Sequence, residues 1–249
     1  MQFSSNTSRS RTPTEVSGFR VIAESRCGGA PVGGDFYRTA LRGPGRLAVV
    51  IGDACGRGTD AARLLPAVTP KIEGLLGSQS SPAQFLGELN RRVDGQLPMD
   101  RFVTMLSCEL DVPRGRLTIA NAGHVPALVR KASGRVSIIG QASGCPVGML
   151  KDSEYIEEQH DLSRGDVIVL MTDGVLEAIE TDLVGMHKLR DSLERGPGGG
   201  RALHLFLLEL LDRCTGGRVP DDMMLLTLEV VSNIRARPCV QLEQFEQAV

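Results

Sequence analysis

The sequence predicts an α+β fold in which two mainly antiparallel sheets form a sandwich flanked by helices. Short apolar or alternating runs, separated by Gly, Pro and charged residues, are typical of antiparallel strands. Two pairs of segments with apolar residues at helical spacing interrupt these runs. The resulting order is strands, two helices, strands, two helices and a final strand, which favours packed layers with the helices outside.

The first strands are predicted from a series of runs that begins at Gly18. In chain order these runs are GFRVIAES, RLAVVIGD, VTMLSCELD, GRLTIANAG, VPALVRK and RVSIIG. Two later runs, DVIVLMTDG and DDMMLLTLEV, are more continuously apolar. That composition indicates central strands covered on both faces.

Four helices are predicted, at 59–76, 82–97, 183–193 and 202–214. Ser81 and Pro82 suit the cap and the first turn of the second helix. The GPGGG run that starts at Gly196 separates the last two, because helices tolerate Gly and Pro poorly. Pro66 and Pro70 lie inside the first segment, so we expect that helix to be broken or kinked.

The chain is long enough for one large domain. It has 249 residues with 41% hydrophobic content, which can bury a sizeable core without a second domain. Residues 1–17 are rich in Ser and Thr and are predicted to be a flexible tail. The folded domain is predicted over 18–231, followed by a C-terminal extension at 232–249.

Charge and cysteine usage narrow the class of protein. With 28 basic and 30 acidic residues the net charge is -2, so no overall field favours nucleic acid as a partner. The six cysteines are scattered without a CxxC pair, which favours reduced thiols in the cytoplasm. The longest apolar clusters are too short to span a bilayer, and we expect no membrane partner.

Four short motifs each place an aspartate where a strand meets a turn. They are VGGDFYR with Asp35, VVIGDACGRG with Asp53, VLMTDG with Asp173, and PDDMMLL with Asp221 and Asp222. Any one Asp-Gly pair is most often only a turn. If the four converge, their mutual repulsion calls for a divalent cation, and oxygen ligands without a His/Cys set favour Mg²⁺ or Mn²⁺.

These motifs, together with FVTMLSCELD, ANAGHVPALV, SGCPVGML and SRGDVIVLMTDGVLEA, resemble the SpoIIE-type branch of the PP2C-like, metal-dependent serine/threonine protein phosphatases. The resemblance runs from about Gly18 to Val230, with the motifs in the family's order. It implies an α-β-β-α sandwich with two Mn²⁺ or Mg²⁺ ions. It also implies hydrolysis of phosphoserine or phosphothreonine on a protein by a water that bridges the two ions.

Carried over residue by residue, the resemblance assigns the ligands. Asp53 would bridge both metals, and the carbonyl of Ala54 would join it on the second metal. Asp173 and Asp221 would complete the first metal's shell, and Asp35 would line the side of the second. Asp53 and Asp173 are therefore the predicted catalytic residues, whereas Asp222 is the less favoured acid of its pair.

The resemblance also implies partners. The substrates in the family are often phosphorylated antagonists of anti-sigma factors, which indicates partner-switching signalling in bacteria. No sensor or kinase domain fits in the predicted tail, so we expect regulation by a separate chain or by self-association, for example as a homodimer. An alternative function is a catalytically weak module that keeps the fold and binds a phosphoprotein.

Several residues near the motifs admit two readings. Arg38 stands where the family usually has an acid, and could instead meet substrate phosphate. His124 could be a general acid, but a structural role at a strand end is the favoured reading. Cys55 could be a redox group or simply a small buried residue. Glu177 is predicted to open a helix and interact with its N-terminal amides.

Overall fold

The computed structural model describes residues 14–28, 32–141, 144–180, 182–217 and 221–232. Most of the predicted tail and extension, residues 1–13 and 233–249, lies outside the described residues.

One sheet has six strands in the order β1-β2-β11-β10-β7-β8, and every neighbouring pair is antiparallel. These strands are β1 (Thr14–Val16), β2 (Phe19–Arg26), β7 (Ala127–Arg130), β8 (Val136–Ile139), β10 (Val167–Met171) and β11 (Met223–Val230). Strands β10 and β11 are buried along their whole length, as the continuous apolar runs predicted.

The second sheet has five strands in the order β3-β4-β5-β6-β9, again antiparallel throughout. These strands are β3 (Asp35–Gly43), β4 (Arg46–Ala54), β5 (Val103–Asp111), β6 (Arg116–Ala122) and β9 (Glu157–Asp161). Residues such as Val49, Ile51 and Leu226 fill an apolar core between the two sheets.

The helices cover the outer faces of both sheets. They are α1 (Gly58–Ala62), α2 (Leu65–Leu76), α3 (Pro82–Val93), α4 (Asp173–Ile179), α5 (Asp182–Arg195) and α6 (Gly200–Thr215). Helices α1–α3 share a core with the five-stranded sheet, and α4–α6 share another with the six-stranded sheet. The predicted α-β-β-α sandwich is therefore confirmed. In the described part of the chain, no helix is both long and apolar enough to cross a bilayer.

The first predicted helix, 59–76, is divided into α1 and α2. The break falls at Arg63 and Leu64, directly before Pro66 in the first turn of α2. Proline is well accommodated there because its missing N–H would have no intrahelical partner in a first turn. Pro70 remains inside α2. The expectation of a broken helix is confirmed.

The second helix begins where the sequence predicted and ends early. Ser81 forms a capping box with Gln84, in which each side chain accepts a hydrogen bond from the other residue's backbone N–H. The helix stops at Val93, not at 97, because the backbone leaves helical geometry at Asp94 and Gly95 takes a positive φ of 66°. Helices α5 and α6 match their predictions to within two residues at each end.

Four elements lie outside the predicted strand runs and helix segments, and one of them is β3, whose residues DFYRTALRG belong to none of the predicted runs. Strand β1 lies within the segment assigned to the tail and pairs with β2. Strand β9 is the polar run EEQHD at a sheet edge, where charged residues are common because they discourage association. Helix α4 begins at Asp173 itself, so Glu177 lies in its second turn and does not open the helix as we predicted.

The topology brings the acidic motifs to one end of the sandwich. Asp35 begins β3 and lies directly opposite Asp53 near the end of β4. In the other sheet, Asp173 follows β10, and Asp221 and Asp222 precede the neighbouring strand β11. Because β10 and β11 are antiparallel, the end of one lies beside the start of the other, and the loops of both sheets meet there.

Candidate metal centre

Asp35 and Asp53 form the buried part of the acidic site. They are cross-strand partners, and Asp35 is only 3% exposed. Burial, the charge of Asp53 and the charges of Asp173 and Asp222 hold the pKa of Asp35 well above its ordinary value. Burial, with the charge of Asp173 next in importance, raises the pKa of Asp53 to about 7, although a hydrogen bond with Asp35 opposes this rise. The site therefore gathers carboxyl groups whose ionised forms are disfavoured by burial and by one another.

Asp173 reaches this cluster from the other sheet as the first residue of α4. Its Oδ1 accepts a hydrogen bond of 2.8 Å from the backbone N–H of Gly174. Burial raises the pKa of Asp173, and the charge of Asp221 acts in the same direction. A side chain at 174 would collide with the backbone, since a built Cβ would lie 2.0 Å from the carbonyl oxygen of Asp222. The glycine of TDG thus permits close packing of α4 against the start of β11.

The two acids of the DD pair have different environments. Asp222 accepts hydrogen bonds from the backbone N–H groups of Gly28, at 3.0 Å, and Gly34, at 3.2 Å. It therefore ties the loops that precede β3 to the start of β11. Asp221 instead directs Oδ2 to the Nε of Arg57, at 2.9 Å. Oδ1 of Asp221 also accepts a 2.8 Å hydrogen bond from the backbone N–H of Asp222, so both acids have partners, and the choice of Asp221 as the ligand stays a prediction.

Thr172 is a site residue that the sequence reasoning missed. Its Oγ1 donates a 2.7 Å hydrogen bond to Oδ2 of Asp35 and accepts a 2.9 Å bond from the backbone N–H of Met224. The hydroxyl is fully buried and connects the two sheets. The only signal in the sequence is a threonine directly before Asp-Gly; in the structure Thr172 is the N-cap residue of α4 and its side chain makes no cap hydrogen bond.

The surroundings of Gly34 test whether these residues fit a metal ion. A Cβ built on Gly34 would lie 2.8 Å from the carbonyl oxygen of Ala54 and 2.9 Å from Oδ1 of Asp53. Two of the predicted ligand oxygens thus lie close to the backbone of Gly34, an approach that only glycine permits. The surrounding groups are carboxylates and a carbonyl, the hard oxygen donors that suit Mg²⁺ or Mn²⁺. The donor set fits a divalent cation.

The geometry is nevertheless that of a cluster and not of a closed coordination shell. Within the ranges that the structure describes, no three His, Cys, Asp or Glu side chains converge on one point as metal ligands do. The structure brings Asp35 and Asp53 into contact, and Asp173, Asp221 and Asp222 act on them through their charges. The assignment of individual ligands stays a prediction.

Arg38 lies away from the acidic cluster. It binds Oε1 of Glu73 on α2 at 3.4 Å through Nε, and the carbonyl of Tyr37 at 2.8 Å through Nη1. Alternation along β3 explains this, because Phe36 packs toward the helices while Tyr37 packs toward the core between the sheets. Arg38 shares the helix-facing side with Phe36, and its contacts do not support the reading in which it meets substrate phosphate.

His124 is buried behind the site. Its Nδ1 lies 2.8 Å from Oγ1 of Thr104, which is the cross-strand partner of Asp53 on β5. Burial lowers the pKa of His124 to about 4, so the ring is neutral near pH 7 and holds no proton to donate as an imidazolium. Asn121 accepts a hydrogen bond from the backbone N–H of His124. These contacts support the structural role.

Cys55, which follows β4, connects the end of that strand to the residue before β5. Its Sγ accepts a hydrogen bond from the backbone N–H of Phe102 at 3.2 Å, and its own N–H donates to the Phe102 carbonyl at 3.0 Å. The side chain is partly buried and packs against the core beneath α1–α3. These contacts support the reading of Cys55 as a small packing residue.

The fold and the acidic edge together define an α-β-β-α sandwich of the PP2C-like class. The chain belongs to the Stage II sporulation protein E (SpoIIE) family, which matches residues 43–231. Phosphoserine phosphatase RsbU of Bacillus subtilis (strain 168) is 28% identical over 144 residues, which cover 58% of this chain and 43% of RsbU. The chain therefore matches less than half the length of that relative.

Solved structures share the fold at low sequence identity. The PP2C phosphatase domain of SpoIIE from Bacillus subtilis, solved with a fragment of its regulatory domain, has a TM-score of 0.73 and 17% identity. That match covers 86% of this chain and 64% of the other. RsbX in complex with magnesium has a TM-score of 0.67 and 16% identity over 88% of this chain and 98% of RsbX. Both similarities concern the fold.

Proposed function

We propose that the protein is a metal-dependent phosphatase that hydrolyses phosphoserine or phosphothreonine on a protein substrate. One observation carries the proposal: the acids of four separate motifs lie at one end of the sandwich, in a chain that belongs to the SpoIIE family. The similarity to RsbU, a phosphoserine phosphatase, supports hydrolysis of a phosphate ester as the reaction class. The magnesium in the RsbX complex supports a divalent cation.

The chain's own residues would hold two ions, Mg²⁺ or Mn²⁺, through oxygen atoms. Asp53 is the proposed bridging ligand, with the Ala54 carbonyl beside it on one ion and Asp173 with Asp221 on the other. Asp35 lines the side of the ion near Ala54. The raised pKa values of Asp35, Asp53 and Asp173 agree with a site whose carboxylates repel one another until a cation is bound.

When bound, such a pair of cations lowers the pKa of a shared water and neutralises charge on phosphoryl oxygens. The residues around the site supply its geometry. Thr172 fixes the orientation of the Asp35 carboxylate through its 2.7 Å hydrogen bond, and Asp222 holds the backbone at Gly34. The glycine at 34 lets the backbone lie close to Asp53 Oδ1 and the Ala54 carbonyl. No residue needs to form a phosphoenzyme.

The proposed substrate is a phosphoprotein of a bacterial partner-switching circuit, such as a phosphorylated antagonist of an anti-sigma factor. The support is family membership and the similarity to RsbU. Control by a regulatory partner or by a homodimer stays part of this proposal.

The test compares the purified chain with variants of the acidic cluster in a Mn²⁺-dependent assay. The substrates are p-nitrophenyl phosphate and a phosphoserine peptide. We expect Asp53→Asn and Asp173→Asn to fold, as judged by circular dichroism, and to lose activity by about a hundredfold or more. Loss of a first ligand should exceed the 10- to 100-fold effect typical of outer-shell partners.

The matched control is Asp60→Asn. Asp60 is an exposed acid of α1 whose partner is Arg63, at 3.1 Å, outside the cluster. This variant should keep wild-type activity. Full activity in Asp53→Asn would contradict the proposal. A wild-type chain that binds the phosphopeptide without hydrolysing it would favour the alternative, a phosphoprotein-binding module.

A further inference from the structure

Arg57 places a guanidinium directly on one of the proposed metal ligands. Its Nε lies 2.9 Å from Oδ2 of Asp221. The Arg57 side chain is 79% exposed, whereas the side chain of Asp221 is 25% exposed. The cation therefore reaches a half-sheltered acid from the solvent side, at the mouth of the cluster and not within it.

The charge of Arg57 acts on more than one acid of the site. It opposes the rise of the Asp173 pKa, so it lies within electrostatic reach of that carboxylate too. Asp173 and Asp221 are the two acids proposed to complete the shell of one ion. Arg57 thus supplies a positive charge beside the two carboxylates that would bind this ion.

The solvent exposure of Arg57 permits its side chain to be redirected. Arg57 precedes α1 and is flanked by Gly56, with φ 114°, and Gly58, with φ 53°, both in the region that favours glycine. Because the side chain is largely exposed, it has no packed surroundings that would hold it in one orientation. Its attachment to Asp221 depends on the ion pair.

We propose that Arg57 exchanges partners: it neutralises Asp221 when no cation is bound, and binds a phosphoryl oxygen of the substrate when a cation takes the carboxylate. This inference rests on the proposed function. A carboxylate oxygen that accepts from a guanidinium is a poorer ligand, so the ion pair competes with the metal. Once released, the planar guanidinium retains donors that match phosphate geometry.

Two effects of opposite sign follow for a neutral variant. Removal of the competitor should tighten divalent metal binding, and removal of the donor should weaken phosphate binding. An exposed ion pair contributes little, so we expect Arg57→Gln to raise Mn²⁺ affinity by about two- to fivefold. We expect a loss of about fivefold or more in the affinity of the Mn²⁺-loaded protein for inorganic phosphate, because hydrogen bonds to charged groups are among the stronger ones.

The experiment measures both affinities by isothermal titration calorimetry at fixed ionic strength, since salt screens exposed charges. The proteins are the wild-type chain of 249 residues, Arg57→Gln, Arg57→Lys and the control Arg63→Gln. Arg63 is equally exposed and pairs with Asp60 on α1, so its variant should match wild type in both titrations. Arg57→Lys should lie between wild type and Arg57→Gln in both affinities, because lysine keeps the positive charge but lacks the planar guanidinium.

The outcomes separate this inference from the proposed function. If wild type binds Mn²⁺ but Arg57→Gln binds it no more tightly, or binds phosphate as well as wild type does, the exchange role is overturned and the phosphatase proposal stands. If wild type binds no Mn²⁺, the proposed function fails and the inference fails with it. Tighter Mn²⁺ binding together with weaker phosphate binding supports the exchange.

Discussion

The hydroxyl of Thr172 donates a 2.7 Å hydrogen bond to the carboxylate of Asp35, and this bond joins the two sheets at the acidic end of the sandwich. Thr172 follows β10, whereas Asp35 begins β3 in the other sheet. The same hydroxyl accepts the N–H of Met224 at 2.9 Å, which fixes the direction of its own hydrogen. The position of Asp35 in the cluster thus depends on a residue far from it in the chain.

Replacement of Thr172 by valine should destabilise the protein and weaken metal binding. Valine keeps the shape of the side chain but leaves Asp35 without its donor and the Met224 N–H without its acceptor. Loss of a partner by a buried polar group costs about 1–3 kcal/mol. Urea unfolding and Mn²⁺ titration of Thr172→Val measure the two effects. Thr172→Ser, which keeps the hydroxyl, is the control and should stay nearer to wild type. Equal stability of Thr172→Val and wild type would contradict the role of this bond.

Replacement of Gly34 by alanine should block the site. The added Cβ would lie under 3 Å from the Ala54 carbonyl, from Oδ1 of Asp53 and from Ala61, so it would displace two of the proposed ligand oxygens. We expect Mn²⁺ affinity and hydrolysis to fall at least tenfold. Gly74→Ala is the matched control, since a Cβ at that position of α2 has no atom within 4 Å. Unchanged metal binding in Gly34→Ala would show that the ion lies elsewhere.

The stability of the metal-free protein should fall as the pH rises from about 4 to about 7. The pKa of Asp53 is raised from 3.8 to about 7 in the folded state, so the folded chain binds a proton more tightly than the unfolded chain. The stabilisation by this proton is complete below pH 4 and is lost as the pH rises through the pKa of Asp53 in the folded state. A shift of that size corresponds to roughly 4 kcal/mol as an upper bound.

The measurement is the free energy of unfolding in EDTA between pH 4 and pH 8, repeated with Mn²⁺. The ion should oppose the loss, so the stabilisation by Mn²⁺ should increase with pH. Asp53→Asn should flatten the EDTA profile. A wild-type profile in EDTA that rises from pH 4 to pH 7 would have the wrong sign for this account.

Arg38→Gln should leave the kinetics of hydrolysis unchanged, because Arg38 contacts Glu73 and the Tyr37 carbonyl and not the acidic cluster. We expect KM and kcat for p-nitrophenyl phosphate within about twofold of wild type, and a loss of stability below about 1 kcal/mol. Steady-state kinetics and thermal unfolding measure these quantities. A KM of Arg38→Gln raised about tenfold would instead support the alternative in which Arg38 binds the substrate phosphate.

The sequence predicted the layers well because they depend on periodicity. The continuous apolar runs of β10 and β11 identified buried strands, and the Ser81 capping box fixed the start of α3. Strand β9 was missed since its residues are polar on both faces, and its pairing with β6 is a tertiary property. Local pattern reasoning has no access to such long-range pairing.

The site was predictable as a set of acids but not in its arrangement. That Asp35 lies opposite Asp53 depends on strand register, and the different surroundings of Asp221 and Asp222 depend on loops that meet only in the fold. The contacts of Arg38 could not be predicted, because the side of β3 on which it lies is defined by the packing of its neighbours in the fold.

The most direct test is anomalous diffraction at the manganese edge from crystals of the protein soaked in Mn²⁺. The account predicts a pair of peaks that share the carboxylate of Asp53, one of them also within coordination distance of Asp173. Peaks bound by other residues, or a fully soaked crystal with no peak between those two aspartates, would contradict it.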